Sequence, residues 1–146
     1  EAEGGVVDKY VGDELMAVFG APVSRGDDAG RAVCAAIRIQ EGLAELNRQR
    51  RAEGADPIAV GVGINSGKAV AGNMGSSNRL NYTVLGEEVN LASRLCDIAP
   101  AGEVYMSAAT AGEVKHTLSV EPIGVRQLKG FSKDFHVFRV KLGTPI

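Results

Sequence analysis

Asn81–Leu95 reads N-Y-T-V-L-G-E-E-V-N-L-A-S-R-L. A short β-branched and aromatic run stops at Gly86, and a helical pattern begins at once. Glu87 and Glu88 fall in the first turn, where the positive end of the helix dipole favours carboxylates. Val89, Ala92, Cys96 and Ala99 then recur at helical spacing and predict the apolar stripe. Asn90 and Arg94 lie four apart, so their side chains stack on a different face. An amide beside a guanidinium suits a sugar oxygen and a phosphate oxygen, because arginine presents a planar fork of donors. An ordinary solvated i,i+4 pair is the bland alternative.

Outward from this strand-to-helix unit, the chain alternates short strands with two further helical patterns. Gly5–Val11 and Glu14–Phe19 predict a hairpin around the Gly12-Asp13 turn signal. Asp27 and Asp28 are N-cap candidates for a long helix reaching about Ala52, with Val33, Ala36, Ile37, Gln40, Leu43, Ala44 and Leu46 at helical spacing. Arg48, Arg50 and Arg51 occupy its last turns, and Gly54 stands just beyond. Ile58–Ile64 alternates small and β-branched residues, as a strand approached closely by another backbone would. Lys68–Asn73 is expected to continue it as a hairpin partner. Leu80–Leu85 is a strand, and the helix after it stops near Pro100. Glu103–Met106 is a strand, Ser107–Val114 a short helix, and Val120–Leu128 with Phe135–Lys141 a closing hairpin. The order β-β-α-β-β-β-α-β-α-β-β predicts an α+β sheet with helices on one face.

Composition narrows the function. The chain has 146 residues, 45% hydrophobic and 23% charged, with a net charge of −2. That is enough for one domain with a real core, and it carries no basic excess for nucleic acid or a membrane surface. No apolar run approaches the ~20 residues of a bilayer span, and no signal peptide is visible. Cys34 and Cys96 both sit in helical apolar patterns and read as buried small hydrophobes in a reducing compartment. Glycine, at 19 of 146 residues, is nearly double the usual ~7% and clusters where backbone bends or meets a ligand. The chain begins at Glu1 without Met and enters an apolar run quickly, which reads as a fragment of something longer.

Three features carry the chemistry. Asp13, at a hairpin turn, is the kind of rigid exposed carboxylate that can serve a divalent cation, or simply cap its own turn. Lys9 shares a strand face with positions 11 and 13 if the strand runs that far. A lysine on a half-buried face wants an acceptor, either a ligand or water. With Asn90 and Arg94 these make a phosphate-handling set.

The order and spacing of that set resemble a known family. Gly5–Gly20, G-V-V-D-K-Y-V-G-D-E-L-M-A-V-F-G, followed by Asn81–Leu95 and by Arg126–Phe131, R-Q-L-K-G-F, is similar to the class III adenylate/guanylate cyclase catalytic domain. The resemblance covers almost the whole chain, taken as one partial domain over 1–146. It implies a ferredoxin-like fold of βαββαβ type, an antiparallel sheet with helices packed on one face, here lacking the first strand and helix. It implies conversion of ATP to 3′,5′-cyclic AMP and pyrophosphate, with two Mg²⁺ or Mn²⁺ ions. On this likeness Asp13 matches a metal aspartate and Lys9 the lysine that recognises adenine. Thr83 matches the second base-recognising position, and a threonine there resembles the bicarbonate-responsive subclass. Asn90 matches the ribose-orienting asparagine and Arg94 the arginine that stabilises the transition state. Lys129 and Arg79 match triphosphate contacts.

The family's other metal aspartate lies in a segment of type F-x-D-I-x-x-F-T, which this chain does not contain. The chain alone is therefore expected to be inactive. The resemblance further implies a cytoplasmic homodimer with sites at its interface, without nucleic acid or membrane insertion. Two alternatives stand beside it: a catalytically inactive nucleotide-binding or dimerising domain of the same fold, and a diguanylate cyclase. The latter rests on Gly12-Asp13-Glu14-Leu15, close to that family's G-G-D-E-F hairpin.

Overall fold

A computed structural model of the chain describes residues 5–11, 14–19, 26–67, 70–73, 82–85 and 87–141. Its elements are β1 (Val6–Val11), β2 (Glu14–Val18), α1 (Asp28–Ala52), β3 (Val62–Ile64), β4 (Val70–Asn73), β5 (Tyr82–Leu85), α2 (Glu87–Ile98), β6 (Val104–Ser107), α3 (Ala108–Val114), β7 (Val120–Gln127) and β8 (Asp134–Val140). That is the order expected from the sequence.

The long helix starts and stops where its capping residues dictate. The Asp27 carboxylate accepts from the Gly30 amide at 3.2 Å, satisfying one of the first-turn N–H groups that have no partner within the helix. Arg50 and Arg51 stand in the last turn, and Gly54 takes a positive φ of 79° just beyond it. The buried face of α1 consists of Ala29, Gly30, Val33, Ala36 and Gln40. It does not extend to Leu46, which is 41% exposed.

Polar side chains anchor the second half of α1 instead. Asn47 Nδ2 donates to the Ile58 carbonyl at 2.8 Å and Asn47 Oδ1 accepts from the Ile58 amide at 2.7 Å. Arg50 Nε donates to the Asp56 carbonyl at 2.7 Å. Gln40, 5% exposed, donates to the carbonyls of Val60 at 2.9 Å and Glu103 at 3.0 Å. These bonds explain why the expected strand Ile58–Ile64 shortens to β3. Asn47 takes both backbone groups of Ile58, and the Val60 carbonyl is shared between Gln40 and the Gly102 amide, so the regular ladder begins only at Val62.

Among the described residues the strands form a four-stranded sheet, order β3-β6-β8-β7, and two separate hairpins, β1-β2 and β4-β5. Pairing in the larger sheet is antiparallel for β6/β8 and β7/β8 but parallel for β3/β6. The antiparallel expectation therefore holds for every described pair except that one. Parallel neighbours need a long crossover, and here β4, β5 and α2 supply it. The second hairpin also differs from expectation: β4 pairs with β5, Gly72 opposite Thr83, and not with β3. β7, at the end of the strand order, tolerates Pro122 and a register irregularity before Gly124, whose φ is 124°, as an edge strand can.

The helices divide between the two faces of this sheet, where one face was expected. Ala29, Val33 and Ala36 of α1 and Ala111 and Val114 of α3 pack with Val104, Met106 and Val140, joined by Val62 and Ile64. Leu91 and Leu95 of α2 pack with Tyr105, Val137 and Leu128. Side chains alternate along a strand, so Val104 and Met106 point one way and Tyr105 the other. The cause lies in β3. Val62 and Ile64 face α1, while a Cβ at Gly63 would stand 2.6 Å from the Ala92 carbonyl oxygen and 2.7 Å from the Leu95 carbonyl carbon. Glycine alone lets α2 lie this close to the sheet.

Candidate functional site

α2 meets the rest of the chain along two sides. Its first contact side is the predicted stripe: Ala92, Cys96 and Ala99 lie over Gly61 and Gly63, and the Cys96 thiol donates to the Gly61 carbonyl at 3.3 Å. The second is Leu91 and Leu95, at 7% and 0% exposure, which the period count did not single out. What stays open is the line through positions 90, 94 and 97. Asn90 is exposed. Arg94 Nη1 donates to Asp97 Oδ2 at 2.9 Å, with side chains 38% and 46% exposed. An exposed pair of this kind is worth at most about 1 kcal/mol, so it orients the guanidinium without locking it away from a phosphate.

Two further elements are brought beside α2. Leu128 is 2% exposed and packs with Leu91 and Leu95, which sets the adjoining Lys129 turn against the helix. The Phe131 amide donates to the Leu128 carbonyl at 3.1 Å and Gly130 takes φ 88°, as the third position of a type II turn requires. Phe131 and Phe135 meet edge to face at 5.1 Å and fix the base of that turn. Lys129 itself is exposed. Strand β5, which carries Thr83, leads into α2 and approaches β1. Lys9 lies on β1 opposite Met16, just past a register irregularity after Val7. β1 is described as far as Val11, so of the expected shared face of positions 9, 11 and 13 the first two lie on this strand and the third falls outside the described residues. Asp13 and Arg79 lie outside the described residues.

The start of α2 has an attachment that sequence reasoning missed. Asn65 Nδ2 donates to both the Glu88 carbonyl oxygen, at 2.9 Å, and Glu88 Oε2, at 2.8 Å. The available signal was Asn65 followed closely by Gly67, at the end of a glycine-alternating strand. A Cβ at Gly67 would sit 2.7 Å from the Glu88 carboxyl carbon.

No group of three or more His, Cys, Asp or Glu side chains among the described residues is placed to hold a metal ion. The described donors therefore do not by themselves make a metal centre. No helix among the described residues is long and apolar enough to cross a membrane.

Residues 7–141 match the family model described as the adenylate and guanylate cyclase catalytic domain. Among curated proteins, the chain is 32% identical over 141 residues to adenylate cyclase 1 of Rhizobium meliloti, covering 95% of this chain and 21% of that protein. It is 39% identical over 99 residues to an adenylate cyclase of Anabaena cylindrica, covering 63% of this chain and 18% of that one. The chain thus spans about a fifth of the length of these relatives. Among solved structures, the adenylyl cyclase CyaB of P. aeruginosa superposes with a TM-score of 0.87 at 35% identity, over 98% of this chain and 74% of that one. The guanylyl cyclase Cya2 gives the same score and identity over 99% and 74%.

Proposed function

The chain belongs to the adenylate and guanylate cyclase catalytic domain family, and from that premise we propose that it carries catalytic groups of an adenylate cyclase. The reaction closes ATP to 3′,5′-cyclic AMP: the ribose 3′-oxygen attacks the α-phosphorus and pyrophosphate leaves. One observation carries the reading. With two sides of α2 packed away, Asn90 and Arg94 remain on the open line, one turn apart.

Phosphoryl transfer depends on positioning and on stabilising charge at the phosphoryl oxygens. On this reading Arg94 leaves Asp97 for the phosphate as negative charge builds, a contribution of several kcal/mol in a water-poor site. Asn90 holds the ribose so that its 3′-hydroxyl faces the phosphorus. Lys129 and Arg79 bind the triphosphate. Asp13 is assigned to the two divalent cations, Mg²⁺ or Mn²⁺, which when bound supply acidification of the 3′-hydroxyl and charge on the leaving group.

Choice of base falls to Lys9 and Thr83. The fold does not distinguish the substrates, since an adenylyl and a guanylyl cyclase superpose equally well. Lysine offers only donors, which suits a ring-nitrogen acceptor of adenine, and the threonine hydroxyl can accept from the exocyclic amine. The nearby adenylate cyclase relatives support the same choice. Residues 1–146 then act as one partial catalytic domain, working in the cytoplasm as a homodimer, with Asp13 of one protomer facing Arg94 of its partner.

The test is product analysis. The full-length protein, incubated with Mn²⁺ and either ATP or GTP, should release cyclic AMP in clear excess over cyclic GMP. Absence of both products, or predominance of cyclic GMP, would refute the assignment.

A further inference from the structure

Asn65 stands at the junction between β3 and the first turn of α2, two elements separated by a long crossover in sequence. Its two bonds to Glu88 join a side-chain amide to a backbone carbonyl and to a carboxylate at once. Both Asn65 and Glu88 are half-buried, and hydrogen bonds to charged groups are the stronger kind. The backbone at Gly67 also passes close to the carboxylate, since a Cβ there would stand 2.7 Å from its carbon. The other end of α2 is fixed separately, by the Cys96 thiol on the Gly61 carbonyl and by Ala99 over Gly61. Glu88 lies two residues before Asn90 and six before Arg94. A helix held at its rear and released at its front would swing its first turns, and these carry the open line.

We propose that Asn65 is a positioning residue for catalysis: with Glu88 it clamps the first turn of α2 so that Asn90 and Arg94 meet the nucleotide in register. Neither Asn65 nor Glu88 need touch substrate. The inference rests on the cyclase reading and adds to it the device that sets the geometry of the helix. Misplacement of a catalytic group by about 1 Å can cost on the order of 100-fold in rate. The clamp therefore controls kcat more than nucleotide binding, because Arg94 acts on charge that develops in the transition state.

The test uses the full-length protein in four forms: unaltered, Asn65→Asp, Glu88→Gln, and the double variant. Asn65→Asp sets two carboxylates against each other and removes both donated bonds. It should lower kcat at least about tenfold while KM for ATP stays within about twofold. Glu88→Gln keeps an oxygen for Asn65 to donate to and should lose less. In the double variant the Gln side chain donates to the Asp carboxylate, so most of the lost kcat should return, as coupled partners in a double-mutant cycle do. Hydrogen exchange supplies a readout independent of turnover: amides of residues 90–93, the first that donate within the helix, should exchange faster in Asn65→Asp and slow again in the double variant.

Unchanged kcat in Asn65→Asp, or no recovery in the double variant, would overturn the clamp. So would unchanged exchange at those amides, even if kcat fell. An unaltered protein that cyclises neither ATP nor GTP would instead overturn the cyclase reading, and with it the clamp's catalytic role.

Discussion

Replacing Gly63 by alanine adds a single methyl group at the point where α2 crosses β3. The new Cβ would sit 2.6 Å from the Ala92 oxygen and 2.7 Å from the Leu95 carbonyl carbon. Those are main-chain atoms, so no side-chain rotation relieves the contact. Carbon contacts are comfortable at about 3.5–4.0 Å, so α2 must retreat by roughly 1 Å. Overpacking of this kind costs about 1–3 kcal/mol. The lower entropy of the unfolded alanine chain offsets about 0.4–1 kcal/mol of it. For a domain of this size each kcal/mol moves Tm by about 4 °C, so a fall of a few degrees is expected. Catalysis should suffer more, since the same shift carries Asn90 and Arg94 away from the nucleotide, at a cost on the order of 100-fold. Gly42→Ala is the control. It lies in α1 with nothing within 4 Å of the added Cβ, and should stabilise by about 0.5–1 kcal/mol with activity intact. Thermal unfolding of the chain by circular dichroism, paired with a cyclic AMP assay of the full-length protein well below Tm, reads both effects. A Gly63→Ala protein as stable and as active as the unaltered one would refute the account of how α2 is seated.

Three other perturbations probe separate parts of the structure. Gln40→Leu removes two side-chain bonds, to the carbonyls of Val60 and Glu103, each of which keeps a backbone donor, and should cost about 1–2 kcal/mol in urea unfolding; no change would mean water replaces the amide freely. Arg139 bonds Glu121 and, at 2.9 Å, Glu103, and these carboxylates, Glu121 first, hold its pKa above the ordinary arginine range. A raised pKa means the stabilisation is complete below the unfolded value and fades only at still higher pH. Arg139→Met should therefore lower Tm equally at pH 7 and pH 9, and by less in 1 M salt, because exposed pairs are screened; a deficit indifferent to salt would contradict the ion-pair account. Lys9→Glu should lower the ATP-to-GTP activity ratio by about tenfold or more, as loss of one charged base contact would, and an unchanged ratio would remove Lys9 from base recognition.

The sequence displayed what local physics decides. Element order, the Asp27 cap, the Gly54 stop and the Asn90–Arg94 pair follow from periodicity and turn chemistry within about one helix length. Partner choice between distant segments was not legible. Of the expected Lys68–Asn73 strand, Val70–Asn73 pairs forward with β5 because the ladder there is set by tertiary contacts, and α2 takes the second face because Gly61 and Gly63 open a path for its backbone. The Asn65–Glu88 clamp was hidden for the same reason, since 23 residues separate its partners. Leu91 and Leu95 were missed because a single stripe was expected, whereas a helix lodged between a sheet and the Leu128 turn has two. Of the candidate site, Asn90, Arg94 and Lys129 are found on neighbouring elements, Lys9 and Thr83 are located on β1 and β5, and Asp13 and Arg79 fall outside the described residues.

The central claim is that Asp13 and Arg94, supplied by opposite protomers, act on one nucleotide. Subunit mixing tests it most directly. Asp13→Ala and Arg94→Ala forms of the full-length protein should each be nearly inactive in cyclic AMP formation. Mixed in equal amounts and allowed to exchange subunits, half the dimers are mixed and each mixed dimer holds one intact site, so about a quarter of the original activity should return. A mixture as inactive as its components, from subunits shown to have exchanged, would contradict the account.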